Sequence, residues 1–175
     1  MLKKGDHIVY GIHGLCRVED ILVPPFIERG KERDYYLMIA DADEKGLLYV
    51  PVDSEAERLR DVTDREEALR LIDDENGGKD PDICGGKKSD SIVSAIIKRN
   101  QAREMMQLVK TLYLLRRDRE KEGKKFAAVD EKHLAAAEKL LFSELAYSLN
   151  CEFGEVQERV RKAAYRTGSV PVSSR

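Results

Sequence analysis

Asp34-Tyr35-Tyr36-Leu37-Met38-Ile39-Ala40 is the stretch that decides the architecture of the first third of the chain. It is aromatic and aliphatic throughout after its first residue. It lies between polar Glu28-Arg29-Gly30-Lys31-Glu32-Arg33 and acidic Asp41-Ala42-Asp43-Glu44-Lys45-Gly46. A run of this length and composition between two turn-forming segments reads as a β-strand. Moving outward, Gly46-Leu47-Leu48-Tyr49-Val50-Pro51 is a second strand, and Leu59-Arg60-Asp61-Val62 closes the set. In the other direction, Gly14 to Val23 places Leu15, Arg17, Glu19 and Ile21 on one parity and Cys16, Val18, Asp20 and Leu22 on the other. Pro24-Pro25 ends that strand, because neither proline has an N–H for a ladder. His7-Ile8-Val9-Tyr10 is the first strand, followed by Gly11 and a His13-Gly14 turn.

Short strands at regular spacing with tight turns predict a small antiparallel β-barrel of the Tudor or SH3 kind over residues 1–62. Such a domain leaves an edge strand able to pair with a strand of a partner. From Thr63 the period changes. Thr63-Asp64-Arg65-Glu66 has the form of a capping box, and Ala68, Leu71 and Ile72 continue a helix that ends near Asp73-Asp74. Residues 75–86 are rich in Gly, Asp and Asn and read as a linker, so 63–86 is a capped helix plus connection. Helices follow over Ser89 to Arg99, Gln101 to Lys121, Asp130 to Leu149, and beyond Asn150. Their apolar stripes are Ile92/Ile96/Ile97, Met105/Leu108/Val109/Leu112/Leu115, Leu134/Leu141/Leu145 and Phe153/Val156/Val160/Ala164. None can cover its stripe alone, so residues 87–167 are expected to pack as a compact α-helical bundle, with 168–175 as a tail. The fold class is α+β.

Of the 175 residues, 42% are hydrophobic and 37% are charged, with a net charge of -2. That is enough apolar material for cores and argues against wholesale disorder. The balance is uneven along the chain. Residues 1–84 carry 12 Lys/Arg against 21 Asp/Glu, a surplus of −9, and residues 85–175 carry 19 against 12, a surplus of +7. A basic half can meet a polyanion. No apolar run approaches the roughly 20 residues that span a bilayer, and no apolar stretch follows the charged N-terminus, so the expected location is the cytoplasm. Cys16, Cys84 and Cys151 are odd in number and lack CxxC spacing, which argues against a disulfide framework or a zinc site.

Catalytic chemistry finds little support. His7, His13 and His133 join no motif, and there is no HExxH, nucleophile elbow, Walker loop or GxGxxG. Asp41 to Gly46 departs from a calcium loop, with Lys45 at a ligand position and Val52 where the closing Glu belongs. No metal, cofactor or small-molecule substrate is expected, and the chain reads as a non-enzyme. Arg116, Arg117, Arg119, Lys121, Lys124 and Lys125 gather around one helix end and its loop, and Lys87, Lys88, Lys98, Arg99 and Lys132 extend the set. Such cations complement a helix C-terminus, and they also contact nucleic-acid phosphates without reading sequence.

Lys4-Gly5-Asp6-His7-Ile8-Val9-Tyr10-Gly11-Ile12-His13-Gly14-Leu15-Cys16-Arg17-Val18 resembles the opening of CarD-like (CdnL-type) bacterial transcription regulators. Asp34-Tyr35-Tyr36-Leu37 and Tyr49-Val50-Pro51 fit the later strands of that family. Leu108-Val109-Lys110-Thr111-Leu112-Tyr113 and Leu140-Leu141-Phe142-Ser143-Glu144-Leu145 resemble its helical half more loosely. The resemblance implies a Tudor-like domain that binds the RNA polymerase β subunit through a sheet edge. It also implies a helical domain that contacts promoter DNA and stabilises the open complex. Two departures stand out. The chain has no Trp, the residue that wedges into the minor groove in the family, and Gly85-Gly86-Lys87-Lys88 occupies that place. Tyr49 stands where the family has a basic residue against polymerase, and the preceding contact strand carries Pro24, Pro25 and Phe26.

Together these readings assign Phe26, Ile27, Tyr49 and Val50 to polymerase, and Lys87, Lys88, Arg116, Lys124, Lys125 and Lys132 to DNA phosphates. The alternative is a polymerase-binding adaptor that makes no DNA contact.

Overall fold

A computed structural model describes residues 1–53, 58–74, 80, 82–83 and 89–167. The chain divides into two compact units, Met1–Val62 and Thr63–Arg175. The first holds five strands: β1 His7–Tyr10, β2 Gly14–Leu22, β3 Tyr35–Ala40, β4 Asp43–Pro51 and β5 Leu59–Arg60. The second holds five helices: α1 Arg65–Asp73, α2 Ser89–Arg99, α3 Ala102–Lys121, α4 Ala128–Leu149 and α5 Phe153–Thr167. The α+β class follows directly.

The strands form one antiparallel sheet in the order β4-β3-β2-β1-β5. The expected closed barrel is corrected here, because the sheet is open among the described residues. Its last strand is two residues long, and the register of β5 is taken up by β1 through Val9↔Arg60 and Tyr10↔Leu59. That leaves it nothing with which to reach β4. One face of the sheet is the core, made by Ile8, Cys16, Val18, Tyr36, Met38, Ala40 and Val50, with Leu2, Ile21, Leu48 and Leu59 packed against them. The period of two that is blurred in β2 has a local cause. Its register against β3 slips between Val18 and Asp20, and the bulge exchanges faces part-way along the strand. The β3–β4 hairpin is tighter than the acidic run Asp41–Gly46 suggests. Ala40 pairs with Asp43, so β4 begins three residues before Gly46.

In the helical unit, Asp64 caps α1 by accepting the Glu67 N–H at 2.8 Å. The expected Thr63/Glu66 box does not form, because Thr63 is engaged by α4 (below). The segment 63–86 contributes Ala68, Leu71, Ile72 and Ile83 to the helical core; the expected linker otherwise lies largely outside the described residues, as do Cys84 and the tail. Asp130 falls inside the first turn of α4, which begins at Ala128. Asn150 caps the C-terminus of α4 in the left-handed conformation, with φ of 52°, and does not open α5. The central helices are α3 and α4, each of which packs against all four others; α3 is the more fully buried in its middle. It buries an unbroken run from Leu108 to Leu114 together with Met105 and Met106, while Leu115 on the expected stripe is only half-buried.

Candidate interaction surfaces

Strand β4 carries the exposed apolar Leu47. This strand pairs with β3 on one side and is an edge of the sheet. Edge strands are usually protected by charges, prolines or brevity. From Gly46 to Val50 this one has no charged side chain, and proline comes only at Pro51. The register Leu37↔Tyr49 and Ile39↔Leu47 puts these four side chains on the face opposite the Met38 core. Leu47 is 53% exposed there. Beside them sits Phe26, 63% exposed, its ring edge-on to Tyr49 with centroids 5.1 Å apart. The chain places Phe26 by a turn in which the Ile27 N–H donates to the Pro24 carbonyl at 3.2 Å, with Pro25 supplying the fixed φ that such a turn favours.

Of the four residues assigned to polymerase from sequence, Phe26 and Tyr49 therefore meet. Ile27 is half-buried in the same turn. Val50 is buried in the sheet core opposite Tyr36, so only its backbone is available on the edge. Leu47 was missed, although its i, i+2 spacing from Tyr49 places it on the same face.

The helical unit buries two charges, and both hold α1. Lys110 on α3 is 1% exposed. Its Nζ donates to the carbonyls of Leu71, Ile72 and Asp74 at 3.0, 2.9 and 2.9 Å. Three donors meet three acceptors at the negative end of the α1 dipole. Burial pushes its pKa down, and the Asp74 and Asp73 carboxylates push it back up. Glu144 on α4 is 0% exposed. It accepts from the N–H and hydroxyl of Thr63 at 2.9 and 2.6 Å, while Ser148 donates to the Thr63 carbonyl at 2.5 Å. Arg65 donates to the Leu149 carbonyl at 2.9 Å. Tyr113 donates to Glu138, and burial followed by that bond drives the phenol pKa up.

The cations assigned to phosphate are dispersed by their partners. Arg116 stacks on Phe126, 4.8 Å from the ring centre, and reaches Glu131 at 3.4 Å. Lys124 pairs with Glu122 at 2.8 Å. Lys125 and Lys132 are exposed, and Lys87 and Lys88 lie outside the described residues. A second cationic surface went unnoticed in the sequence: Arg159, Lys162 and Arg166 on α5, all exposed. Their i, i+3, i+7 spacing was the available signal.

A groove of about 410 Å³ beside Lys110 includes Asp74, Asp80, Arg99, Arg103 and Glu104 in its wall. Arg99 pairs with Glu104 at 3.0 Å and Arg103 with Glu67 at 3.2 Å. No Ser, Cys or His is among its described lining residues. No group of three His, Cys, Asp or Glu among the described residues is placed to hold a metal, and no described helix is long and apolar enough to cross a membrane.

Residues 2–63 match the family described as the CarD-like/TRCF RID domain. The N-terminal unit is similar to that family. The matched span ends at Thr63, one residue past the boundary between the two compact units, so the RID-type domain and the sheet unit are the same object. The exposed edge β4 with Phe26 belongs to the RID-type domain, and the helical unit lies beyond the match. No curated protein matches the chain.

Proposed function

We propose that this protein is a non-enzymatic transcription regulator that binds the β subunit of RNA polymerase through β4 of its RID-type domain. The carrying observation is the uncharged edge Gly46–Val50, flanked by Phe26, in a domain similar to this family. A partner strand added to β4 gains backbone hydrogen bonds from the edge and apolar contact from Leu47, Tyr49 and Phe26. The contact is more apolar than one made by a basic residue, as Tyr49 requires. The helical unit meets promoter DNA through phosphate contacts from Lys87, Lys88, Arg116, Lys124, Lys125 and Lys132, and the two attachments together modulate open-complex stability. The Trp that wedges into the minor groove in the family is missing here, so the DNA contact proposed rests on charge.

An adaptor that binds polymerase without touching DNA is favoured by one observation: Arg116 and Lys124 each have a carboxylate partner already. Footprinting of polymerase on promoter DNA, with and without the protein, separates the two. The regulator extends protection at the upstream edge of the melted region, and Lys124→Gln/Lys125→Gln/Lys132→Gln reverses the extension. An unchanged footprint with polymerase bound supports the adaptor.

A further inference from the structure

We infer that the exposed face of α5 is a phosphate-binding surface for duplex DNA, separate from the cations at the end of α3. This rests on the reading that the helical unit meets DNA, and it adds a site that the reading does not assign.

Arg159, Lys162 and Arg166 recur at i, i+3 and i+7, so they line one side of the helix. At 1.5 Å per residue they extend over about 10 Å, roughly the rise of three nucleotides along one strand. They flank a shallow groove between α5 and the end of α1, with Tyr165 and Asp73 completing its described lining. Behind them Arg117 of α3 lies against the Tyr165 ring at 5.5 Å, donates to the Tyr165 carbonyl at 3.5 Å and pairs with Asp118 at 3.4 Å.

Exposed Glu155, four residues before Arg159, shares this face, and two further carboxylates are paired with its cations. Glu158 pairs with Arg161 and with Lys162, the latter at 3.3 Å. Asp73 is 4.0 Å from Arg166, the limit of an ion pair. Exposed pairs of this kind contribute little, and a phosphate displaces them readily. The guanidinium of Arg166 is 73% exposed and the ammonium-bearing side chain of Lys162 is 71% exposed. The α3–α4 loop instead interleaves Lys121, Lys124 and Lys125 with Glu120 and Glu122. The helical spacing on α5 gathers Arg159, Lys162 and Arg166 on one face, with Arg161 on another.

The test uses the full chain and a fluorescently labelled duplex of mixed sequence, with binding measured by anisotropy across a potassium chloride series. Arg159→Gln/Lys162→Gln/Arg166→Gln is compared with Lys124→Gln/Lys125→Gln/Lys132→Gln, and circular dichroism verifies that both variants keep their helices. The α5 variant is expected to bind more weakly and to lose about 3 from the log–log salt slope, roughly 0.9 per phosphate contact. Unchanged binding by the α5 variant beside weakened binding by the loop variant overturns the α5 site alone. The reverse pattern removes the loop from the DNA reading and keeps α5. Absence of wild-type binding sinks both. Loss of polymerase capture in the α5 variant with duplex binding intact assigns the surface to an acidic protein face and overturns the DNA assignment.

Discussion

The two units handle polar groups in opposite ways. The RID-type domain has an apolar core, Ile8, Cys16, Val18, Tyr36, Met38, Ala40 and Val50, and leaves backbone hydrogen-bonding capacity on the β4 edge. The helical unit satisfies its backbone within helices and buries Lys110 and Glu144. Those two charges act on α1, one at its C-terminal carbonyls and one at the residue that leads into it. A nine-residue helix is too short to be stable alone, and its apolar face is only Ala68, Leu71 and Ile72. Buried Lys110 and Glu144 therefore fix structure in the helical unit, while the sheet unit ends in β4, whose outer edge pairs with no other described strand.

The comparison is most exposed at Lys110. Lys110→Met keeps the aliphatic stem and removes the ammonium, leaving three carbonyls without their donor. The expected loss is about 3 kcal/mol, read as a lower urea midpoint of the helical circular dichroism signal. Next comes Glu144→Ala, which strands the N–H and hydroxyl of Thr63 at a cost of roughly 2 kcal/mol and accelerates amide exchange at Thr63. Glu144→Gln keeps a carbonyl oxygen for both donors and recovers most of that loss. If either change is neutral, the buried charges do not hold α1.

A pH-dependent effect belongs to the sheet. Burial, with help from Asp41, pushes the Cys16 thiol from 9.0 up to about 12. The folded state keeps a proton that the unfolded state releases, so stability present below pH 9 is lost as pH rises towards 12, by up to about 1.4 kcal/mol per unit. Denaturation of wild type and Cys16→Ala on either side of pH 9 measures it: the advantage of wild type shrinks with rising pH. A constant advantage contradicts the buried, protonated thiol.

The parts legible in the sequence are those with a local period. The five strands and five helices lie close to where alternation and apolar stripes place them, and Ser89–Arg99 has the same bounds in both. Tertiary partners are what the sequence withholds. Thr63 has the form of a cap, but Glu144, eighty-one residues away, takes its donors, and Asp64 caps in its place. Lys110 carries no local sign of burial, since a lysine in a helix reads as solvent-facing until the end of α1 is set over it. The charge asymmetry also changes meaning. Divided at Val62, the units carry −4 and +2, since residues 63–84 hold 8 acidic and 3 basic side chains within the helical unit. At the edge, Phe26 and Tyr49 were singled out through the family resemblance, and their contact was not legible, because it depends on the Pro24–Ile27 turn.

The most direct measurement is capture of purified RNA polymerase by the full-length protein and by Leu47→Asp. The substitution places a charge on the exposed face of the edge, away from the core, and is expected to change folding stability by less than about 0.5 kcal/mol. Wild type is expected to retain polymerase through its β subunit, and Leu47→Asp, with an unchanged circular dichroism spectrum, to lose most of it. Equal capture by both proteins, or none by wild type, contradicts β4 as the polymerase-binding edge.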